Sequence, residues 1–237
     1  MNLNLDDIGM LQNKAEKNNI TVGEFVAAGL CEENFCNSRI EELHDKDIKR
    51  FVRIYSTKQK DEFNYITSAC EAVFGDLCYF PVAECSSGDK TVMYDDTWFG
   101  ERTFGGNRHH EGTDIMPSCN LRGVYPVVSV TDGVIEKTGW LKLGGYRIGI
   151  RSEHGGYFYY AHLASYAKDY KTGDIVKAGE IIGYMGDSGY GEEGTVGQFD
   201  VHLHFGIYIN DNNGNEISIN PYHILKALEN NKKYSEY

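Results

Sequence analysis

The sequence predicts an α+β protein: a small helical N-terminal module over residues 1–77, then a mainly antiparallel all-β domain over residues 78–237. Glycine and histidine usage predict the division. Residues 1–90 hold 5 of the 27 glycines and residues 91–237 the other 22, while seven of the eight histidines follow residue 100. Apolar spacing agrees. It has a helical period before the glycine-rich part and breaks into short runs between turn signals within it.

The helical part is punctuated by capping boxes. In Thr21-Val-Gly-Glu24 and Ser38-Arg-Ile-Glu41, hydroxyl and carboxylate can satisfy each other's orphan amides. Ile48, Phe51, Val52 and Tyr55 follow the i, i+3, i+4, i+7 stripe, and Phe63, Ile66, Ala69, Cys70 and Val73 mark another helix that stops at Gly75. Leu11 to Phe25 faintly resembles the helix-turn-helix of a LysM glycan-binding module, without its flanking strands. A packing role, a regulatory or substrate-orienting role and a glycan-binding role all remain open for this part. Strands are expected over 124–131, 133–137, 146–151, 157–163, 180–185 and 201–209. Asp211-Asn-Asn-Gly-Asn215 reads as a hairpin turn, and Asn220-Pro221 opens a last short helix with Pro at its first position.

Composition removes several classes of function. With 23 Lys+Arg against 35 Asp+Glu, the net charge is −12, which argues against a protein held to nucleic acid or anionic membrane by a basic face. No uncharged apolar run reaches the 18 or so residues of a membrane span. The N-terminus, Met1-Asn-Leu-Asn-Leu-Asp-Asp7, lacks the basic and apolar regions of a signal peptide. The six cysteines form no Cys-x-x-Cys pair, so a thiolate zinc knuckle is not expected; buried thiols and disulfides both remain open.

The chemistry concentrates in three places. In Asp200-Val-His-Leu-His-Phe-Gly-Ile-Tyr-Ile209, strand alternation sends Val201, Leu203, Phe205, Ile207 and Ile209 to a core face. His202 and His204 then share the opposite face. Alone, they could equally be two exposed sheet histidines. His110-Glu-Gly-Thr-Asp114 offers an imidazole and a carboxylate, both good zinc ligands. It brushes against the His-Glu-x-x-His zincin motif, but that motif needs a helix and a second His where Asp114 stands. Alone, this string reads equally as a surface turn. His162, in Tyr159-Tyr-Ala-His162-Leu163, is by itself an ordinary strand histidine.

Together and in this order, His110-x-x-x-Asp114, Tyr160-Ala-His162-Leu163 and His202-Leu-His204 resemble the lysostaphin/LytM-type zinc metalloendopeptidases, over residues ~90–225. Val130-Thr-Asp-Gly-Val134, Thr172-Gly-Asp-Ile-Val-Lys-Ala-Gly-Glu-Ile-Ile-Gly183 and Asn220-Pro221 strengthen the likeness. The resemblance implies a barrel-sandwich-like catalytic domain, one zinc ion per chain and peptidoglycan peptides as substrate. It makes His110, Asp114 and His204 the metal ligands, and His162 and His202 the catalytic histidines. Three protein ligands leave a fourth position open for water. On that pattern His202 takes the water's proton and His162 donates to the developing oxyanion.

One position departs from the family. Where some relatives carry a tyrosine shortly before the first ligand, the nearest upstream aromatic here is Phe104, so oxyanion stabilisation would rest more on zinc and His162, or on Tyr94 if the loop folds back. The stretch from Gly173 to Gly183 also occurs in biotinyl and lipoyl carrier domains, but their hairpin-tip lysine does not follow here; it reads as turn chemistry. The competing class is a non-catalytic wall-binding or regulatory protein. Such relatives lose site residues, and none of the five is missing. Peptidoglycan places the work in the cell envelope or outside the cell, so a signal or anchor is expected upstream of this sequence, the alternative being an export route that the sequence does not show.

Overall fold

Asp7 opens the first helix by accepting the Met10 amide (3.1 Å), and Asn19 closes it in the left-handed conformation that a C-terminal cap favours. The computed structural model describes residues 7–32, 43–102 and 107–237; the capping box expected at 38–41, Cys36 and Phe104 lie outside them. The helices are α1 (Ile8–Asn18), α2 (Val22–Glu32), α3 (Asp45–Lys58) and α4 (Lys60–Phe74). The Thr21 capping box forms as expected: the Glu24 carboxylate accepts the Thr21 amide (2.9 Å), and the Thr21 hydroxyl accepts the Glu24 amide (3.1 Å). Helix α2 is apolar nearly all round, with Phe25 to Leu30 buried, because α1, α3 and α4 pack around it. Gly75 ends α4 differently from expectation: its backbone stays right-handed, φ −63, and its amide still donates to Glu71. Among the described residues no strand precedes residue 84.

Fourteen strands follow among the described residues. They are β1 (Glu84–Cys85), β2 (Val92–Met93), β3 (Glu101–Arg102), β4 (Arg108–His109), β5 (Thr113–Pro117), β6 (Pro126–Val128), β7 (Gly133–Leu141), β8 (Gly145–Arg151), β9 (Tyr157–Tyr166), β10 (Ile175–Val176), β11 (Ile181–Met185), β12 (Leu203–Asn210), β13 (Glu216–Ile219) and β14 (Tyr234–Ser235). Ten of them make one antiparallel sheet, with β12 between β9 and β5 in the order β10-β7-β8-β9-β12-β5-β2. The fold is therefore α+β with a large antiparallel sheet, as the sequence predicts.

Individual strands differ from expectation for local reasons. The run expected at 124–131 pairs only over β6, because the Val130 amide is taken by the Tyr160 hydroxyl at 2.9 Å instead of a strand. Strand β7 runs past Lys137 to Leu141 by accommodating Gly139 at φ +98. The turn at Asp211 joins β12 to β13, its carboxylate accepting the Asn213 and Asn215 amides. The closing helix, α5 (Tyr222–Leu228), starts one residue after Pro221, and Asn220 accepts the Tyr222 amide at 3.0 Å. The five cysteines among the described residues are free thiols.

The core is continuous from the helices to the sheet: Phe25, Val73 and Phe74 belong to the same buried cluster as Phe158, Phe205 and Leu228. Val201, Leu203, Phe205, Ile207 and Ile209 all face it, so the alternation read from the sequence holds along β12. The other face of that strand is left for chemistry.

Candidate active site

Three elements converge on the polar face of β12. Pairing sets His204 opposite Asp114 on β5 and Ala161 on β9. His110 sits in the turn between β4 and β5, which are too short and too divided by Gly112 to be a helix. The five residues singled out by the sequence line one cleft of about 330 Å³, together with Arg102, Arg108, Tyr159, Tyr190 and Phe199.

His110 is buried, and its Nδ1 lies 3.1 Å from the Thr97 carbonyl. A carbonyl only accepts, so Nδ1 carries the ring proton and Nε2 presents a lone pair. That nitrogen stands 3.0 Å from Asp114 Oδ1 and 3.0 Å from His204 Nδ1; the last two atoms are also 3.0 Å apart. Three electron-rich atoms at such distances repel unless a proton or a cation lies among them. The set matches the His/His/carboxylate donors that zinc accepts, so the residues fit the metal that the sequence implies. Burial works against the charge on Asp114, but the surrounding imidazoles of His110, His204 and His202 outweigh it and hold the carboxyl well below the usual range. Burial likewise lowers His204 and favours the neutral ring. The second carboxylate oxygen, Asp114 Oδ2, accepts from Arg102 Nη2 at 2.7 Å.

The other two histidines have their inner nitrogens fixed. His202 Nδ1 donates to the Asp200 carbonyl (2.7 Å), and its Nε2 lies 3.8 Å from Asp114 Oδ1. His162 Nδ1 donates to the Ser188 carbonyl (2.8 Å). Burial first, then the neighbouring His202 and His204, pushes His162 down to about 3, so its resting ring is neutral with a lone pair at Nε2. His162 also sits at φ +61, where the register of β9 slips against both β8 and β11, and its amide donates to Gly144. The bulge turns a strand residue that would otherwise alternate normally into the cleft.

Tyr94 does not fold back into this cleft. Its hydroxyl donates to Glu229 at 2.6 Å, and its ring packs on Phe80 and Tyr222. The phenols in the cleft wall are Tyr159 and Tyr190, with Tyr190 edge-on to His162 at 6.0 Å. Sequence reading missed these, and it missed Thr97 and the two arginines. Only the arginines left a signal: they flank Gly105-Gly106, a hairpin pair.

The profile of peptidase family M23 matches residues 108–221. The crystal structure of a protein from Ruminococcus gnavus, provisionally assigned as the glycyl-glycine endopeptidase LytM, superposes with a TM-score of 0.79 at 43% identity, over 91% of this chain and 85% of that one. The chain belongs to peptidase family M23. Within it, an L-Ala–D-Glu endopeptidase of Bacillus subtilis (strain 168) is 50% identical over 136 residues, 57% of this chain and 40% of that protein. Lysostaphin of Staphylococcus simulans is 36% identical over 103 residues, 43% of this chain and 18% of that protein. This M23 peptidase therefore spans less than half the length of these curated relatives.

Proposed function

We propose that the chain is a zinc-dependent endopeptidase that hydrolyses stem-peptide bonds of bacterial peptidoglycan at the cell envelope. The observation that carries this reading is the convergence of His110 Nε2, Asp114 Oδ1 and His204 Nδ1 at 3.0 Å from one another. Those three residues would hold the zinc. When bound, it supplies a Lewis acid for the scissile carbonyl and lowers the pKa of its water. A stem peptide is favoured over a glycine cross-bridge by the 50% identity to the L-Ala–D-Glu endopeptidase. Among the described residues no helix is long and apolar enough to cross a membrane.

The protein's own groups divide the proton work. His202 keeps its Nδ1 proton on the Asp200 carbonyl and offers the Nε2 lone pair close to Asp114, the position of a general base. His162, neutral and bonded through Nδ1 to Ser188, also rests as an acceptor at Nε2. It can donate to the oxyanion only after taking up a proton, so the donor role is one it acquires during the reaction. Arg102 holds the Asp114 carboxylate from its far oxygen. Thr97 holds His110 from behind and so fixes which nitrogen faces inward.

Zinc content and peptidoglycan turnover, measured together on two variants, test the assignment. His204→Ala should lose zinc and activity together. His202→Ala should keep near-stoichiometric zinc and lose about 10²–10⁴-fold in rate, the scale of general acid–base catalysis. Chelation should abolish turnover of the unsubstituted chain and added zinc restore it. Metal loss in His202→Ala with retention in His204→Ala would reverse the two roles. Full turnover in a metal-free preparation would remove zinc from the mechanism.

A further inference from the structure

We propose that Arg102 and Arg108 form a carboxylate-recognising pair, so that the peptide cut in this cleft carries a free carboxylate beside the scissile bond. The inference rests on the stem-peptide reading above and narrows its substrate to an acidic one. Strands β3 and β4 set Arg102 directly across from Arg108. Like charges facing each other on a two-stranded ladder are destabilising. This chain nevertheless keeps both, in a molecule of net charge −12, and both line the cleft that holds the His–Asp–His cluster.

Their contacts locate them against the reacting centre. Arg102 reaches Asp114 Oδ2 at 2.7 Å, and Arg108 Nη2 reaches the Tyr190 hydroxyl at 3.4 Å, the phenol that stands edge-on to His162. One guanidinium thus touches a ligand carboxylate and the other touches a neighbour of a catalytic imidazole. Asp114 engages Arg102 on one side of the ladder, and Arg108 brings a second cation to the same cleft. A guanidinium presents five N–H donors in a planar fork, and Asp114 takes one bond from Arg102. Two such forks lining one cleft suit a planar carboxylate held by charge-assisted bonds.

The substrate chemistry follows. A glycine–glycine bond brings no side-chain charge, so it would cover two guanidinium groups without supplying an anion, a desolvation cost with no return. A glutamate joined onward through its side chain keeps its α-carboxylate on the carbon next to the scissile nitrogen. That carboxylate lies within one residue of the cut, and the two arginines line the cleft that holds the reacting centre.

The test compares three substrates with the zinc-loaded full chain. They are a stem peptide with L-Ala joined to γ-linked D-glutamate, the same peptide with the α-carboxylate converted to the carboxamide, and pentaglycine. The acid should be cut with kcat/KM at least about tenfold above the amide, the scale of one hydrogen bond to a charged group. Arg108→Gln should bring that ratio to within about threefold, with zinc content measured alongside so that metal loss is not mistaken for lost recognition. Arg102→Lys, which keeps the charge but not the fork, should also reduce it. Equal cutting of acid and amide by the unsubstituted chain overturns the proposal and needs no variant to fold. A ratio that survives in both variants overturns it too. Cleavage of pentaglycine with neither stem peptide cut overturns the stem-peptide reading itself, a result distinct from equal cutting of both.

Discussion

Gly112, between His110 and Asp114, shows how closely the cleft is built at the scale of one residue. A Cβ there would lie 2.5 Å from His204 Cε1 and 2.7 Å from both its Nε2 and the Phe205 carbonyl. No unusual backbone angle demands the glycine; the imidazole occupies the space. Gly112→Ala should therefore displace the His204 ring and press on the β12 backbone at Phe205. The expected result is a lowered Tm together with zinc affinity weakened about 10–100-fold, the range found when the support of a ligand is disturbed. Isothermal titration with zinc would check it, and full affinity in the variant would show that the ring has room to move. Backbone strain gathers in the same place. Of the four non-glycine residues at positive φ among the described ones, His162 (φ +61) and Tyr190 (φ +59) both line the cleft.

At the scale of elements, what could be read from the sequence was what neighbouring residues decide. The alternation of β12 exposed His202 and His204 together, and the Thr21 box closed on Glu24, because each depends on residues a few positions apart. The bulge at His162, the facing of Arg102 and Arg108, and the parallel pairing of β1 with β14 depend on partners distant in the chain, and no local pattern carries them. The same limit hid a tie between helix and sheet. His154, in the turn between β8 and β9, is bonded through Nδ1 and its amide to Asp76, just beyond α4. The hydrogen bond to Asp76 outweighs partial burial and raises the His154 pKa above its ordinary 6.5. A raised pKa in the folded state gives stability that is complete below 6.5 and lost as pH rises through the folded value. Thermal melts should thus show the Tm of His154→Asn approaching that of the unsubstituted chain as pH rises above 6.5. A gap that does not depend on pH would remove the protonated ring from the account.

At the scale of the whole molecule, we propose that residues 78–237 form a folding unit, with 1–77 as a separate module packed on it. The shared core sets the cost of separation: removing the helices uncovers Ile209, Ile224 and the apolar pocket that Val73 and Phe74 line beside α5. The truncated chain should melt in one cooperative transition at a lower Tm, by roughly 2–4 °C for each kcal/mol of stability lost. Failure to melt cooperatively would move the boundary. The path of the chain through the sheet has a further effect. His110 and His204 meet across 94 positions of sequence, with β12 docked between β5 and β9 to bring them together. An unfolded chain owns every one of the five side chains yet has no cleft, so nothing in it can orient a peptide bond. Hydrolytic power arrives with the last strand to pair, and a newly made molecule has none until then. Latency of this kind is inherent in the topology.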